Sequence, residues 1–182
     1  GSFAWRGERR SLQAMSRDLV NAGVTAWLAT SATQPETFLL ESLSTAADWI
    51  ADAKAEDGAE AVGIHMEGPF INPAYSGMQS KDAIQPPGIE GFKRYQHAAR
   101  GNIRLMTLAP ELPGALALIR YLRQSGVTVS AGHTDATFDE TTLAIEAGLT
   151  HFTHAFSAMR GLHHREPGVV VAAMQIGRAS CR

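Results

Sequence analysis

Residues 63–70 read Gly-Ile-His-Met-Glu-Gly-Pro-Phe, and this stretch decides how the rest of the chain is interpreted. The apolar run that begins at residue 61 is typical of a buried strand. It ends at the Gly-Pro turn of residues 68–69, because proline cannot donate to a strand ladder. Glu67 therefore lies at the carboxyl end of a predicted strand. In a parallel sheet or barrel this end collects ligand-binding and catalytic groups, so Glu67 is either a site residue or an acid solvated in a turn.

The composition is that of a globular domain, with 45% hydrophobic and 19% charged residues in a chain of 182. The formal net charge is -2 and the basic residues are scattered, so nothing favours binding to nucleic acid or to an anionic membrane. No apolar run reaches the roughly 20 residues that span a bilayer, and no secretion signal is evident. The single cysteine, Cys181, cannot form an internal disulfide, and we expect a cytoplasmic location.

Strand-like and helix-like segments alternate along the chain. Predicted strands cover residues 24–30, 61–66, 103–108, 127–131 and 150–155, and predicted helices cover residues 11–22, 35–56, 89–100, 114–124 and 137–147. Ser11 is the expected N-cap of the first helix, and Thr137 with Glu140 has the spacing of a capping box. This alternation, with short connections, is typical of a parallel α/β sheet.

Two architectures fit this pattern, a doubly wound open sheet and a (β/α)8 barrel. No glycine-rich nucleotide-binding motif follows the first strand, and the strand and helix pairs outnumber those of one mononucleotide-binding half, which favours the barrel. A closed barrel typically needs about 250 residues. We therefore predict that residues 1–175 form an α/β domain that is a partial, TIM-like (β/α)8 barrel, and we interpret residues 176–182 as a non-native tail.

Two histidines occupy strand ends equivalent to that of Glu67. His133 follows the fourth predicted strand, and His154 lies near the end of the fifth. One carboxylate and two imidazoles from different strands are a ligand set that a hydrolytic Zn²⁺ or Fe²⁺ uses, with a position open for water. His151 competes with His154, but the two have opposite parity along a strand and His154 is nearer the active end. Each of the three chosen residues also has an ordinary reading, as a hydrogen-bonded turn residue.

Several neighbouring residues have open interpretations. His65 shares a strand face with the predicted ligands, and we interpret it as a core residue rather than a ligand. Glu111, after the third strand, either orients a loop or caps the next helix. Asp135 is expected to cap a helix and complement its dipole. The loop at residues 161–168 is either solvated surface or a phosphate clamp, because the guanidinium of Arg165 can pair with phosphate through two hydrogen bonds.

Five motifs, taken together and in order, carry a family resemblance. They are His-Met-Glu-Gly-Pro-Phe-Ile-Asn-Pro at 65–73, Leu-Ala-Pro-Glu at 108–111, Gly-His-Thr-Asp-Ala at 132–136, Thr-His-Ala-Phe-Ser-Ala-Met at 153–159 and His-His-Arg-Glu-Pro-Gly-Val-Val at 163–170. The sequence resembles the N-acetylglucosamine-6-phosphate deacetylases, metal-dependent (β/α)8 enzymes of the amidohydrolase superfamily. The resemblance implies hydrolysis of the acetamide of N-acetylglucosamine 6-phosphate to glucosamine 6-phosphate and acetate.

The resemblance also implies roles for individual residues. The metal ligands of the family fall on Glu67, His133 and His154, with zinc as the expected ion and iron as the alternative. Its substrate contacts fall on Met78, Gln79, Ser157, Ala158, His164 and Arg165. The phosphate-contacting arginine of the family can reach a neighbouring subunit, so a homodimer is implied. The catalytic aspartate of the family comes from a later strand that this sequence does not reach, so we expect the isolated chain to be inactive.

Two positions depart from the family pattern. Gln79 stands where a histidine is usual, and Ser157 where an asparagine is usual. A glutamine amide donates a hydrogen bond but carries no charge, so carbonyl polarisation or sugar preference is expected to differ. The alternative functions are N-acetylgalactosamine-6-phosphate deacetylase, another amidohydrolase such as a cyclic-amide hydrolase, and a phosphosugar-binding barrel without catalysis.

Overall fold

The structure of the protein is a computed structural model, and it describes residues 8–176. Its helices and strands, in chain order, are α1 (Arg9–Asn21), β1 (Ala26–Ser31), α2 (Glu36–Asp52), β2 (Glu60–Glu67), α3 (Ile89–Ala98), β3 (Ile103–Leu108), α4 (Ala115–Gln124), β4 (Thr128–Ala131), α5 (Phe138–Ala147), β5 (His151–Phe152) and α6 (Gly168–Ile176). Of the predicted tail, Ile176 ends α6 and residues 177–182 lie outside the described part of the chain.

The strands form one parallel, five-stranded sheet in the order β1-β2-β3-β4-β5. Each strand pairs with the next one along the chain. A doubly wound sheet would instead reverse its strand order at a switch point, and the ligand crevice would lie there. The unbroken sequential order is that of a (β/α)8 barrel, so the predicted partial barrel is confirmed.

An apolar core joins the sheet to its helices and holds the strand ends in place. Burial of each large apolar side chain stabilises the fold by about 1.5–3 kcal/mol. The core includes Leu39, Leu43, Phe92, Tyr95, Leu118 and Leu122 from the helices, and Ile64, Met66, Met106 and Val129 from the strands. The carboxyl ends of β2, β3 and β4 therefore lie beside one another.

Several element boundaries differ from the prediction. Helix α1 begins at Arg9 with Glu8 at the N-cap position, so Ser11 lies inside the first turn and the predicted cap is wrong. Helix α2 ends at Asp52 rather than at residue 56, because Ala53 is already extended with a ψ of 141°. By contrast, the capping box of Thr137 and the N3 glutamate of α5 forms as predicted.

Helix α6 was not predicted at all. Its Val-Val-Val run favours a strand by composition. In the structure Val169 and Val170 are buried, and the N–H of Gly168 at the first helical position donates to the carboxylate of Glu166. Tertiary packing and this N-terminal acceptor outweigh local propensity here.

No helix among residues 8–176 combines the length and the apolar character needed to cross a bilayer.

Candidate metal centre

Glu67, His133 and His154 meet at the carboxyl end of the sheet. One potential ligand atom from each lies within 4.8 Å of those of the others. Nε2 of His133 is 2.9 Å, and Nε2 of His154 is 3.2 Å, from the same carboxylate oxygen, Oε1 of Glu67. The two rings stand almost perpendicular, at 86°, with their centroids 5.6 Å apart. The structure therefore gathers the three predicted ligands around one point.

Glu67 reaches this point because the chain turns sharply after β2. It is the last residue of the strand and is 9% exposed. Gly68 follows with a φ of 77°, and a Cβ atom there would collide with Oγ1 of Thr33. Only glycine accepts both this backbone conformation and so close a neighbour. The Gly-Pro turn that ended the predicted strand thus also presents Glu67 to the centre.

His133 is held so that one ring nitrogen faces Glu67. It is 5% exposed, and its Nδ1 lies 2.8 Å from the backbone carbonyl oxygen of Tyr75. A carbonyl oxygen only accepts, so Nδ1 carries a proton and donates it. In the neutral ring Nε2 then presents a lone pair to a carboxylate oxygen. Two lone pairs this close repel each other unless a proton or a cation neutralises them, and the residues therefore fit a bound metal ion.

His154 comes to the centre from a turn rather than from a strand. Strand β5 spans two residues, not the predicted 150–155, and His154 has a left-handed backbone with a φ of 56°. The register places His151 on the same face as Glu67, through Thr107 of β3 and Ser130 of β4. Strand parity does not separate the two histidines, because His154 lies beyond the end of β5. The turn after β5 is what directs the ring of His154 to the centre.

The carboxyl group of Glu67 is ionised at neutral pH. Burial alone would raise the pKa of Glu67. Hydrogen bonds from the rings of His133 and His154 outweigh burial and hold this pKa well below its usual range. Gln79 donates a further hydrogen bond to the same oxygen at 2.8 Å. The ionised form is the one that binds a metal ion.

A row of polar side chains lies beneath the centre. Nε2 of His65 is 2.7 Å from Oγ1 of Thr107, which is 2.8 Å from Oγ1 of Thr153, and Oγ of Ser130 is 2.7 Å from the same Thr153 atom. Burial lowers the pKa of His65 to about 4, and the charge of Glu67 opposes this only in part. Within residues 8–176 the candidate metal cluster does not include His65, in agreement with its interpretation as a packed residue.

Comparisons with known proteins bear on this site. No family model matches the sequence. The N-acetylglucosamine-6-phosphate deacetylase of Bacillus subtilis (strain 168) is 42% identical over 165 residues, which are 90% of this chain and 42% of that protein. A solved N-acetyl-D-glucosamine-6-phosphate deacetylase from Mycobacterium smegmatis superposes with a TM-score of 0.79 at 36% identity, over 86% of this chain and 40% of that one. The chain belongs to the N-acetylglucosamine-6-phosphate deacetylase family.

The chain is also similar to a deacetylase that is named for a different sugar phosphate. The N-acetylgalactosamine-6-phosphate deacetylase of Escherichia coli O157:H7 is 35% identical over 159 residues, 86% of this chain and 41% of that protein. The chain therefore spans about two fifths of the length of the curated relatives it matches. This coverage agrees with the partial barrel seen in the sheet.

Gln79, one of two departures from the N-acetylglucosamine-6-phosphate deacetylase pattern, is bonded at both ends of its amide. Its Oε1 accepts the backbone N–H of Thr33 at 2.5 Å, and its Nε2 donates to Glu67. The structure thus assigns Gln79 an orienting role behind the carboxylate. Contact of Gln79 with a sugar stays a prediction.

The other predicted substrate residues of the family pattern lie around the centre on loops. Met78 is 88% exposed and precedes Gln79. Ser157 is exposed, and its backbone N–H donates to the carbonyl of His154 at 2.6 Å. Ala158 is half-buried, and its carbonyl accepts the N–H of Thr134 at 3.2 Å. The loop after β5 is thereby joined to the loop after β4.

His164 and Arg165 lie in an exposed loop between β5 and α6. The carboxylate of Glu166 secures this loop, since it accepts the N–H groups of Phe138 at 2.9 Å and Gly168 at 3.1 Å, at the starts of α5 and α6. Within residues 8–176 no acidic side chain forms an ion pair with Arg165.

Two acids outside the ligand set also act at this end of the sheet. Glu111 accepts hydrogen bonds from the loops after β2 and β4, so it orients loops and does not cap α4. Asp135 was expected to cap a helix, but it forms an ion pair with Arg160 at 2.8 Å, and Thr137 is the cap. The Tyr75 carbonyl, which holds His133, was missed because a backbone acceptor leaves no signal in a sequence.

Proposed function

We propose that the intact protein hydrolyses the acetamide of N-acetylglucosamine 6-phosphate, releasing acetate and glucosamine 6-phosphate. One observation carries this proposal: Nε2 of His133 and Oε1 of Glu67 face each other at 2.9 Å while Nδ1 of His133 is committed to the Tyr75 carbonyl. This pair, with His154, forms a donor set for a divalent ion. The deacetylases that match the chain supply the reaction.

The protein holds the Glu67 and His133 side chains in fixed orientations towards the proposed metal ion. Imidazole and carboxylate donors suit zinc, with iron as the alternative. A bound ion supplies Lewis acidity, which polarises an amide carbonyl and lowers the pKa of a water molecule towards neutrality. Glu67 contributes a negative charge fixed from behind by Gln79, and His133 contributes a nitrogen whose proton is kept on the far side of the ring.

Substrate binding is assigned to the loops around the centre. A mutant of the Mycobacterium smegmatis deacetylase has been solved in complex with N-acetyl-D-glucosamine-6-phosphate, which supports a sugar phosphate as the ligand class. We assign the sugar to Met78, Gln79, Ser157 and Ala158, and the phosphate to His164 and Arg165. Arg165 suits this role because a guanidinium binds phosphate oxygens through two parallel hydrogen bonds.

We also propose that the intact protein is a homodimer and that it is located in the cytoplasm. Arg165 is exposed, and the family resemblance places there an arginine that can reach the site of a neighbouring subunit. We retain residues 1–175 as one partial barrel domain. The proton transfer to the leaving amine is assigned to an aspartate on a later strand of the intact protein.

Acetate release tests the proposal directly. We expect the intact protein to release acetate from N-acetylglucosamine 6-phosphate when metal is bound and not after chelation. No release above the chelated control, from protein with a full complement of metal, would overturn the reaction. N-acetylgalactosamine 6-phosphate is the second substrate to compare, because one matching relative carries that sugar in its name.

The phosphate contact has its own test. Removing a charge-assisted hydrogen bond costs about 1.5–3 kcal/mol, so Arg165→Ala should lower kcat/KM for the phosphorylated sugar by roughly 10-fold to 150-fold. Turnover of unphosphorylated N-acetylglucosamine should not change. Arg120→Ala, which removes an exposed arginine from α4, is the matched control. An unchanged rate for Arg165→Ala would instead favour another amidohydrolase reaction, such as cyclic-amide hydrolysis.

A further inference from the structure

Glu111, just beyond β3, joins the loops that follow β2 and β4. Its Oε1 accepts Nδ2 of Asn72 at 3.0 Å and the backbone N–H of Asp135 at 2.7 Å, and its Oε2 accepts Oγ1 of Thr134 at 2.5 Å. Thr134 is fully buried and Glu111 is half-buried. Hydrogen bonds to an ionised carboxylate are shorter and stronger than neutral ones. One side chain therefore fixes two loops of the site.

The first connection leads from Glu111 to the ring of His133. Oδ1 of Asn72 caps the short 3-10 turn Pro73–Tyr75, and the carbonyl of Tyr75 accepts Nδ1–H of His133 at 2.8 Å. The backbone N–H of Asn72 also donates to the carbonyl of His133 at 2.9 Å. The residue that Glu111 holds therefore positions the acceptor that selects the tautomer of His133.

The second connection fixes the backbone that follows His133. Thr134 and Asp135 come directly after it in the sequence, and both are bonded to Glu111. His133 has a φ of 52°, a left-handed conformation that is unfavourable for a residue with a Cβ atom. The surrounding hydrogen bonds keep it in that conformation, which directs the ring towards Glu67.

We propose that Glu111 is a positioning residue for the metal centre, which fixes both the orientation and the tautomer of His133. It acts through Asn72 and Tyr75 on one side and through Thr134 on the other. Within residues 8–176 the candidate metal cluster does not include Glu111. The metal part of this inference rests on the proposed function, while the tautomer part concerns the protein alone.

The tautomer is measured first, in the metal-free intact protein labelled with ¹⁵N at histidine. At about pH 8, long-range ¹H–¹⁵N spectra should show a proton on Nδ1 of His133, held by the Tyr75 carbonyl, whether or not a second proton lies between Nε2 and Glu67. Glu111→Ala should give a mixture of tautomers. Glu111→Gln should restore the wild-type spectrum, because an amide oxygen still accepts from Asn72 and Asp135.

Zinc affinity is measured second, by competition with a chelator. Loss of a group that orients a metal ligand typically weakens binding by about 10-fold to 100-fold, which is the effect expected for Glu111→Ala. Glu111→Gln should recover most of the affinity. Glu140→Ala is the matched control, since it removes another carboxylate from the same region, where it accepts the N–H of Thr137 at 2.8 Å and caps α5. That variant should melt at a lower temperature and bind zinc normally.

The outcomes separate this inference from the proposed function. If Glu111→Ala keeps both the wild-type tautomer and the wild-type zinc affinity, the inference is overturned and the proposed function stands. If Glu111→Ala and Glu140→Ala lose affinity equally, the effect is one of general stability and the inference is also overturned. If the wild-type protein binds no zinc, the proposed function fails, and the tautomer spectra alone decide the role of Glu111.

Discussion

Nε2 of Gln79 lies 2.8 Å from Oε1 of Glu67, the same oxygen that both imidazoles approach. The other end of the amide accepts the backbone N–H of Thr33. Gln79 thus connects the loop after β1 to the end of β2 through the predicted metal ligand. The carboxylate is oriented by the protein itself, before any ion binds.

Replacing Gln79 with alanine should therefore weaken metal binding. The change removes a hydrogen bond from Glu67 and leaves the N–H of Thr33 unpaired, which costs about 1–3 kcal/mol of folding stability. Zinc affinity should fall by about 10-fold to 100-fold, as for other residues that orient a ligand. Gln13→Ala, which removes a glutamine from α1 bonded to Asp57, is the control and should bind zinc normally. Unchanged zinc affinity in Gln79→Ala would contradict the orienting role.

His154 and His151 can be separated by metal content. His154→Ala removes one of the three gathered donors, so purified protein should retain little zinc after dialysis. His151→Ala changes an exposed histidine on β5 and should retain zinc at the wild-type level. Elemental analysis of both variants decides the point. Loss of zinc from His151→Ala, with zinc retained in His154→Ala, would show that His151 and not His154 is the metal ligand.

Gly68 and Gly101 form a matched pair for testing the turn after β2. Both have a left-handed φ, 77° and 79° respectively, but a Cβ at Gly68 would meet Oγ1 of Thr33 while a Cβ at Gly101 would meet nothing within 4 Å. Gly101→Ala should cost about 1–2 kcal/mol of unfolding free energy, for the backbone alone. Gly68→Ala should cost more and should also weaken zinc binding. Urea denaturation measures the unfolding free energy of both variants. Equal decreases in Gly68→Ala and Gly101→Ala would show that the close approach of Thr33 to Gly68 adds nothing to the cost.

Glu166 should make stability depend on pH. Hydrogen bonds from the backbone N–H groups of Phe138 and Gly168 lower the pKa of Glu166 below its ordinary value of 4.5. The ionised group therefore stabilises the fold above the unfolded pKa, and this contribution is lost as pH falls through the folded pKa. Glu166→Gln should thus be less stable than wild type near pH 7, by a difference that shrinks towards about pH 3. Urea denaturation at both pH values measures this difference in unfolding free energy. A difference that grows towards low pH would contradict the stabilising role of the ionised Glu166 carboxylate.

The strand ends could be predicted because they depend on local chemistry. The apolar run before Glu67 ends at a Gly-Pro pair, and the run before His133 ends at glycine, so both side chains belong at the active end of any parallel sheet. Thr137 and Glu140 formed their capping box for the same reason, since a cap needs only residues that are close in sequence.

The errors arose where distant contacts decide the conformation. Residues 168–176 have the composition of a strand, but they form a helix because they are buried against the fold and Glu166 accepts the N–H of Gly168. His154 was chosen as the histidine nearer the active end of a predicted strand, yet β5 stops at Phe152 and a left-handed turn places its ring. Such turns are selected by tertiary hydrogen bonds that a single sequence does not display.

The sequence by itself determined the alternation of strands and helices, the barrel rather than the doubly wound sheet, and the residue types that meet at the strand ends. These follow from periodicity and from the short range of turn and cap interactions. Only the tertiary structure decided that Gln79 lies behind Glu67, that the Tyr75 carbonyl holds Nδ1 of His133, and that Glu111 joins two loops. The physical reason is that these hydrogen bonds connect atoms far apart in sequence, which only the folded sheet brings within 3 Å.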